Sequence, residues 1–149
     1  MIQIIACDYG GAGFETCLDI RMRVFVAEQN VPADEERDSY EETARHFLAL
    51  WNCDAAGTAR AIVKEPGLIK IGRVAVLPPY RKFGIGVALM RAVEAEFAGA
   101  TFLLDAQLQA MGFYEKLGYV AEGPVFDDAG IPHRTMFKRA IRTTLKRAL

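Results

Sequence analysis

The sequence predicts an α/β protein built on a mixed, mostly antiparallel sheet with one central parallel strand pair. Three observations lead there. In Ile71–Phe97, IGRVAVLPPYRKFGIGVALMRAVEAEF, an apolar run rich in Val and Ile gives way after Pro78-Pro79 to a helix-period pattern, which marks a buried strand followed by a helix. Ahead of it, His46–Asn52 and Thr58–Lys64 are β-prone runs joined across Asp54-Ala55-Ala56-Gly57, as an antiparallel meander requires. Behind it, Thr101–Ala106 is a short apolar run one helix away, so it should lie parallel to the strand before that helix.

Taken in order, Gln3–Asp8 reads as a first strand that Gly10, Gly11 and Gly13 break. A helix follows with Phe14, Leu18, Met22 and Phe25 on one face, and Glu28-Gln29-Asn30-Val31-Pro32 ends it, because proline cannot continue a helix. Asp34, Glu35, Glu36, Asp38, Glu41 and Glu42 then surround Arg37; such a charge run reads first as a solvated loop, with a cation-attracting rim as the alternative. After the hairpin, Glu65-Pro66-Gly67 turns the chain into the central strand. Ile85, Leu89, Val93 and Phe97 give the central helix an apolar face, and Gly99 suits its C-terminal end.

Leu108–Leu117 reads as a short helix closed by Gly118. A closing hairpin is expected from Tyr119–Glu122 and Val125-Phe126, through the turn Asp127-Asp128-Ala129-Gly130, to Ile131–Lys138. Ile141, Leu145 and Leu149 are spaced four apart in the tail, which fits a terminal amphipathic helix or a frayed end.

Composition sets the outer bounds. The 149 residues, 52% hydrophobic and 25% charged, suit one globular domain spanning residues 1–149. A net charge of −1 gives no general attraction to nucleic acid, and no apolar run reaches membrane-spanning length. Cys7, Cys17 and Cys53 have neither disulfide parity nor metal-ligand spacing, and the amino terminus lacks a cationic leader, so a cytoplasmic protein with reduced thiols and no bound metal is expected.

The chemistry lies at the junction of the central strand and helix. Arg81-Lys82-Phe83-Gly84-Ile85-Gly86 sets two cations and two glycines at a helix start, where unpaired N–H groups and the helix dipole favour an anion such as a pyrophosphate. A purely structural reading makes Gly84 and Gly86 close-packing glycines and Arg81-Lys82 a solvated pair. A dinucleotide fingerprint with Asp105 as its acidic residue fails, because Leu89 occupies the third glycine position and Pro78, Pro79, Tyr80 and Arg81 stand between the strand and the glycines. A Walker loop fails because Val87 and Ala88 follow Gly86.

Arg-x-x-Gly-x-Gly opening a helix after a Val-x-Val strand end resembles the acyl-CoA-binding motif of the GNAT N-acyltransferases. Ala110–Tyr119 resembles that family's Phe-Tyr-x-x-x-Gly-Phe helix, and Val24–Gln29 with Gly130–Met136 resembles its ElaA-like branch. The resemblance implies the same β-α-β-β-β-α-β-α-β-β order with helices on both faces of the sheet, and acetyl-CoA (coenzyme A) as cofactor. The cofactor contacts it implies are Val74, Ala75 and Val76 for the pantetheine, Arg81, Lys82, Phe83, Gly84, Ile85 and Gly86 for the pyrophosphate, and Phe113, Tyr114 and Lys116 on the later helix.

Tyr114 takes the position of the family's proton donor to the leaving thiolate, and its ordinary pKa of about 10 keeps it protonated at neutral pH. Without the motif it would read as an amphipathic helix aromatic. The glutamate that many members carry on the central strand is missing here, because Leu68–Leu77 holds only Lys70 and Arg73 as charged residues. Glu28, His46 and His133 are the candidate bases, His133 before His46 because it lies in a motif segment that should close the acceptor cleft. Phe25, Glu28, Gln29, His46, Arg73 and His133 are the expected acceptor contacts. The expected activity is transfer of an acetyl group to a small-molecule or peptide amine, with a homodimer as an option; the rival is a non-catalytic acyl-CoA-binding module.

Overall fold

The computed structural model of the chain describes residues 1–141; the tail positions Leu145 and Leu149 lie outside the described residues. Seven strands form one sheet in the order β1-β2-β3-β4-β5-β7-β6: β1 (Ile2–Cys7), β2 (Arg45–Trp51), β3 (Asp54–Glu65), β4 (Leu68–Val76), β5 (Thr101–Gln107), β6 (Val120–Asp128) and β7 (Ile131–Lys138). Every neighbouring pair is antiparallel except β4 and β5. The helices are α1 (Ala12–Arg21), α2 (Ala33–Glu36), α3 (Ile85–Glu96) and α4 (Met111–Lys116).

Helix α3 packs on one face through Ile85, Leu89, Met90 and Val93, each at most 1% exposed, against Phe47, Ile69, Ile71 and Leu104. Burying side chains of this size stabilises the fold by about 1.5–3 kcal/mol each. Helix α1 covers the opposite face with Cys17 and Ile20 against Leu48 and Ala75. Both faces are therefore covered, as a sheet with a buried parallel pair requires.

Three local expectations change. The first helix does not continue in α form: α1 widens into a π-helix over Met22–Glu28, which turns Met22 to 38% exposure and buries Val24 in its place. The β2–β3 turn is Asn52-Cys53, with both φ angles positive at 47° and 73°, so Asp54–Gly57 belongs to β3. The Asp34–Glu42 segment is not simply a solvated loop, because Glu36 and Glu41 are 3% exposed and bonded to buried arginines. An isolated charge run is solvated by default; cations from α1 and from strands β3 and β4 overturn that here.

The feature that positions the site is the way β4 and β5 part. They pair only through Leu68–Lys70 and Thr101–Leu103. Past that point β4 carries an extra residue opposite Thr58–Arg60, with Arg73 at φ 50°. This bulge reverses which residues face each side, so Ile69 and Ile71 point to α3 whereas Ala75 points to α1. Beyond Lys70 the β5-facing edge of β4 has no strand beside it among the described residues.

Candidate active site

A cavity of about 640 Å³ fills the opening, lined by β4 from Lys70 to Val76, β5 from Leu104 to Gln107, Phe25 and Gln29 from the π-helix and its end, and Tyr114 and His133. Its floor is a free strand edge, and its walls are polar. Val74, Ala75 and Val76 line it, as do Arg73 and Arg81.

The loop after β4 enters α3 through Gly84, whose φ of 76° is a conformation that side chains disfavour. No side chain caps α3, so the first N–H groups of a 12-residue helix remain for an anion. Space around Gly84 is open, since a Cβ there would meet nothing within 4 Å. Gly86 differs: a Cβ there would lie 3.0 Å from Phe113 Cζ, so close packing against α4 is what this glycine serves in the structure. Phe83 stacks on Trp51 at 4.3 Å between ring centroids, tying the loop to the β2–β3 hairpin, and Lys82 is exposed. Ile85 is buried in the core.

Arg81 donates from Nε to the Val76 carbonyl at 2.8 Å and from both terminal nitrogens to Glu28 at 2.7 and 2.9 Å. Hydrogen bonding to Arg81 holds the Glu28 carboxyl below its ordinary range. Glu28 sits outside the main cavity, on a groove with Arg23, Leu77 and Tyr80. It is thus placed beside the loop that enters α3 and committed to an arginine.

Tyr114 and His133 are brought to the same cavity. Burial pushes the Tyr114 phenol up to about 12, which keeps its proton in place at neutral pH. Phe113 meets the Tyr114 ring edge-on at 4.9 Å, and Lys116 is exposed at the end of α4. His133 Nδ1 lies 2.6 Å from the Ile131 carbonyl; a carbonyl only accepts, so Nδ1 donates there and Nε2 is the nitrogen left without that partner. Gln107 donates to Gln29 at 2.8 Å, closing one side of the cavity.

His46 does not join them. It is 1% exposed, its Nε2 lies 2.8 Å from the Glu41 carbonyl, and Phe14 packs against it edge-on. Burial lowers its pKa, so it is a neutral core histidine without a face on the cavity.

Sequence reasoning missed two charged constellations. Arg21, fully buried, binds Glu36 at 2.7 Å and Glu41 at 2.6 Å; Arg60 binds Asp38 at 2.7 Å and Glu41 at 3.2 Å; Arg73 reaches Glu36 at 3.0 Å and Asp38 at 3.3 Å. Three cations and three carboxylates thus pin the acidic segment over the sheet as one cavity wall. The second is Lys70 with Asp105: Lys70 Nζ lies 3.1 Å from Asp105 Oδ2, and Thr135 Oγ1 donates to Asp105 Oδ1 at 2.8 Å. Period-two alternation on β4 and β5 could have placed Lys70 and Asp105 on one face, given the register.

The comparisons with known proteins decide the family. The sequence model of the acetyltransferase (GNAT) domain matches residues 5–140. The chain belongs to the GNAT acetyltransferase family. It is 42% identical over 123 residues to the uncharacterized N-acetyltransferase YjcF of Bacillus subtilis, covering 80% of this chain and 87% of that protein. Protein ElaA of Escherichia coli is 31% identical over 132 residues, covering 84% of this chain and 86% of ElaA. The crystal structure of ElaA superposes with a TM-score of 0.80 at 26% identity, covering 93% of this chain and all of the other, 100%. An aminoglycoside 6'-N-acetyltransferase complexed with coenzyme A shares the fold at a TM-score of 0.71 and 21% identity, covering 95% and 98% of the two chains. This GNAT protein is therefore an acyltransferase, and acyl-CoA use is a property of its family. Among the described residues no helix is long and apolar enough to cross a membrane.

Proposed function

We propose that the protein, acting as a single domain in the cytoplasm, transfers the acetyl group of acetyl-CoA directly to the amino group of a small-molecule or peptide acceptor. The observation that carries this is the convergence of Tyr114, His133 and the open edge of β4 on one cavity. Coenzyme A fits the residues present: the free edge at Val74–Val76 offers backbone partners to the pantetheine amides, and the uncapped start of α3 with Arg81 and Lys82 offers charge to the pyrophosphate. Arg81 must exchange Glu28 for phosphate to do so.

Bound acetyl-CoA supplies an acyl group already activated as a thioester. The chain supplies position and protons. His133 Nε2 accepts one proton from the acceptor ammonium, freeing the lone pair that bonds to the acyl carbon as the carbon–sulfur bond breaks, and the second proton that the nitrogen sheds on becoming an amide returns to the Tyr114 oxygen once that group has protonated the sulfur. The Tyr114 hydroxyl donates its proton to the departing sulfur. Its burial suits this role, because a phenol held at about 12 stays protonated until negative charge develops beside it.

The test is a single-turnover measurement with excess enzyme on Tyr114→Phe. The ring and its packing stay, so acetyl-CoA affinity should hold while the rate falls by about 10²–10⁴-fold, the usual contribution of a positioned acid. An unchanged single-turnover rate would remove Tyr114 from proton transfer.

A further inference from the structure

We infer that the amine acceptor is a small zwitterion, an α-amino acid or close analogue with a carboxylate beside the reacting amino group, and that Lys70 and Asp105 recognise its two charges. This deepens the N-acetyltransferase reading and rests on it.

The geometry of the pair is the first ground. Lys70 and Asp105 stand on the two parallel strands beside the point where they part, 3.1 Å apart in the wall of the cavity, with 35% and 27% of their side chains still accessible. Thr135 fixes one carboxylate oxygen of Asp105, so the other is aimed at Lys70 and cannot turn away without losing that bond. Covalent geometry sets the nitrogen and nearer carboxylate oxygen of an α-amino acid about 3 Å apart, the same separation as this pair. A zwitterion laid head to tail across it places each charge between two opposite ones. An amine without the carboxylate would take Asp105 and leave Lys70 facing a cation.

The rest of the cavity is the second ground. Its other inner carboxylates are already engaged, Glu36 by Arg21 and Arg73, Asp38 by Arg60 and Arg73. Arg60, 5% exposed, is engaged in turn by Asp38 and Glu41. Among the described residues, the cavity offers a polycation carboxylates without a cationic partner only at Glu35 and Asp128, both exposed at the rim. Such charges are screened by salt and discriminate weakly.

The experiment follows thiol release from acetyl-CoA with the standard amino acids, each beside its own amide, and with kanamycin as a polycation. At least one amino acid should exceed its amide and kanamycin about tenfold in kcat/KM, the size of one charge-assisted contact. Lys70→Met should raise KM for that amino acid about tenfold and for its amide less than about twofold, with Lys70→Arg recovering most of the loss. Calorimetric binding of the amino acid to protein saturated with coenzyme A should show the same split without turnover. Preference for amides or kanamycin, equal loss on both acceptors, or silence with every amino acid in a protein that binds acetyl-CoA would overturn the inference while leaving the acetyltransferase reading intact. Failure to bind acetyl-CoA would overturn both.

Discussion

Replacing Arg21 with Met removes a fully buried guanidinium that donates four hydrogen bonds, to Glu36 Oε2 at 2.7 Å, the Glu36 carbonyl at 2.8 Å and the two Glu41 oxygens at 2.9 and 2.6 Å. Breaking a buried ion pair from one side costs about 3–5 kcal/mol, because the stranded carboxylates keep their desolvation penalty. Here Arg73 still reaches Glu36 and Arg60 still reaches Glu41, which argues for the lower figure, about 3 kcal/mol. In a chain of this size that corresponds to a fall in Tm of about 6–12 °C. The difference should depend on pH with a definite sign. Burial, the largest single effect, would raise the Glu41 carboxyl, but Arg21, the Asp38 N–H and Arg60 together outweigh it and hold it at about 2. The native protein therefore binds fewer protons than the unfolded one between about pH 4.5 and 2, and its stability declines as pH falls through that window. Arg21→Met lets Glu41 protonate in the folded state, so the gap between the two proteins should narrow as the pH is lowered from 7 to 3. Scanning calorimetry at both pH values checks this; a loss below about 1 kcal/mol, or an equal loss at both, would refute the dependence of these buried carboxylates on Arg21.

His46 contributes to the acid limb as well. Its folded pKa is depressed by burial, so the unfolded chain takes up the proton first and stability should begin to fall below about pH 6.5, while His46→Gln should flatten that upper part of the profile. Trp51, the single tryptophan, stacks on Phe83 in the cofactor loop, so coenzyme A should change its fluorescence whereas NAD should not, and saturation at 100 times Kd should add about 2.7 kcal/mol, a shift of several degrees in Tm; no change on either count would remove the loop from cofactor binding. Gly86→Ala should lower the single-turnover rate more than it weakens coenzyme A binding, because the new methyl must displace Phe113, which supports Tyr114; the opposite split would return Gly86 to the phosphate contact.

What the sequence made legible was whatever repeats at short range. The change of period at Pro78-Pro79, the apolar spacing of α3 and the turn at Pro66-Gly67 each lie within a few residues, and the element order follows from them. Gly86 was read for phosphate access, whereas the contact that explains it comes from Phe113, 27 positions on. Nothing in the local sequence singles out Arg21. Its partners stand 15 and 20 residues away, and no periodicity of α1 signals that the polar side faces an acidic loop instead of water. The same blindness hid Asp105, which needs the strand register to be seen beside Lys70 and Thr135.

The bulge at Arg73 joins these hidden parts into a site. Without the extra residue, β4 would keep one alternation to its end, and the side chains of Ala75 and its neighbours would fall on the other faces of the sheet. With it, the φ of 50° at Arg73 accompanies a side chain that reaches back to Glu36 and Asp38, while the strand beyond turns its free edge away from β5. One strained residue thus ties the acidic wall to the strand whose open edge is proposed to take the cofactor arm. Because left-handed backbone costs a non-glycine residue about 1 kcal/mol or more, Arg73→Gly should relieve that strain yet release the wall, so a gain in backbone freedom here would accompany a loss of acceptor affinity.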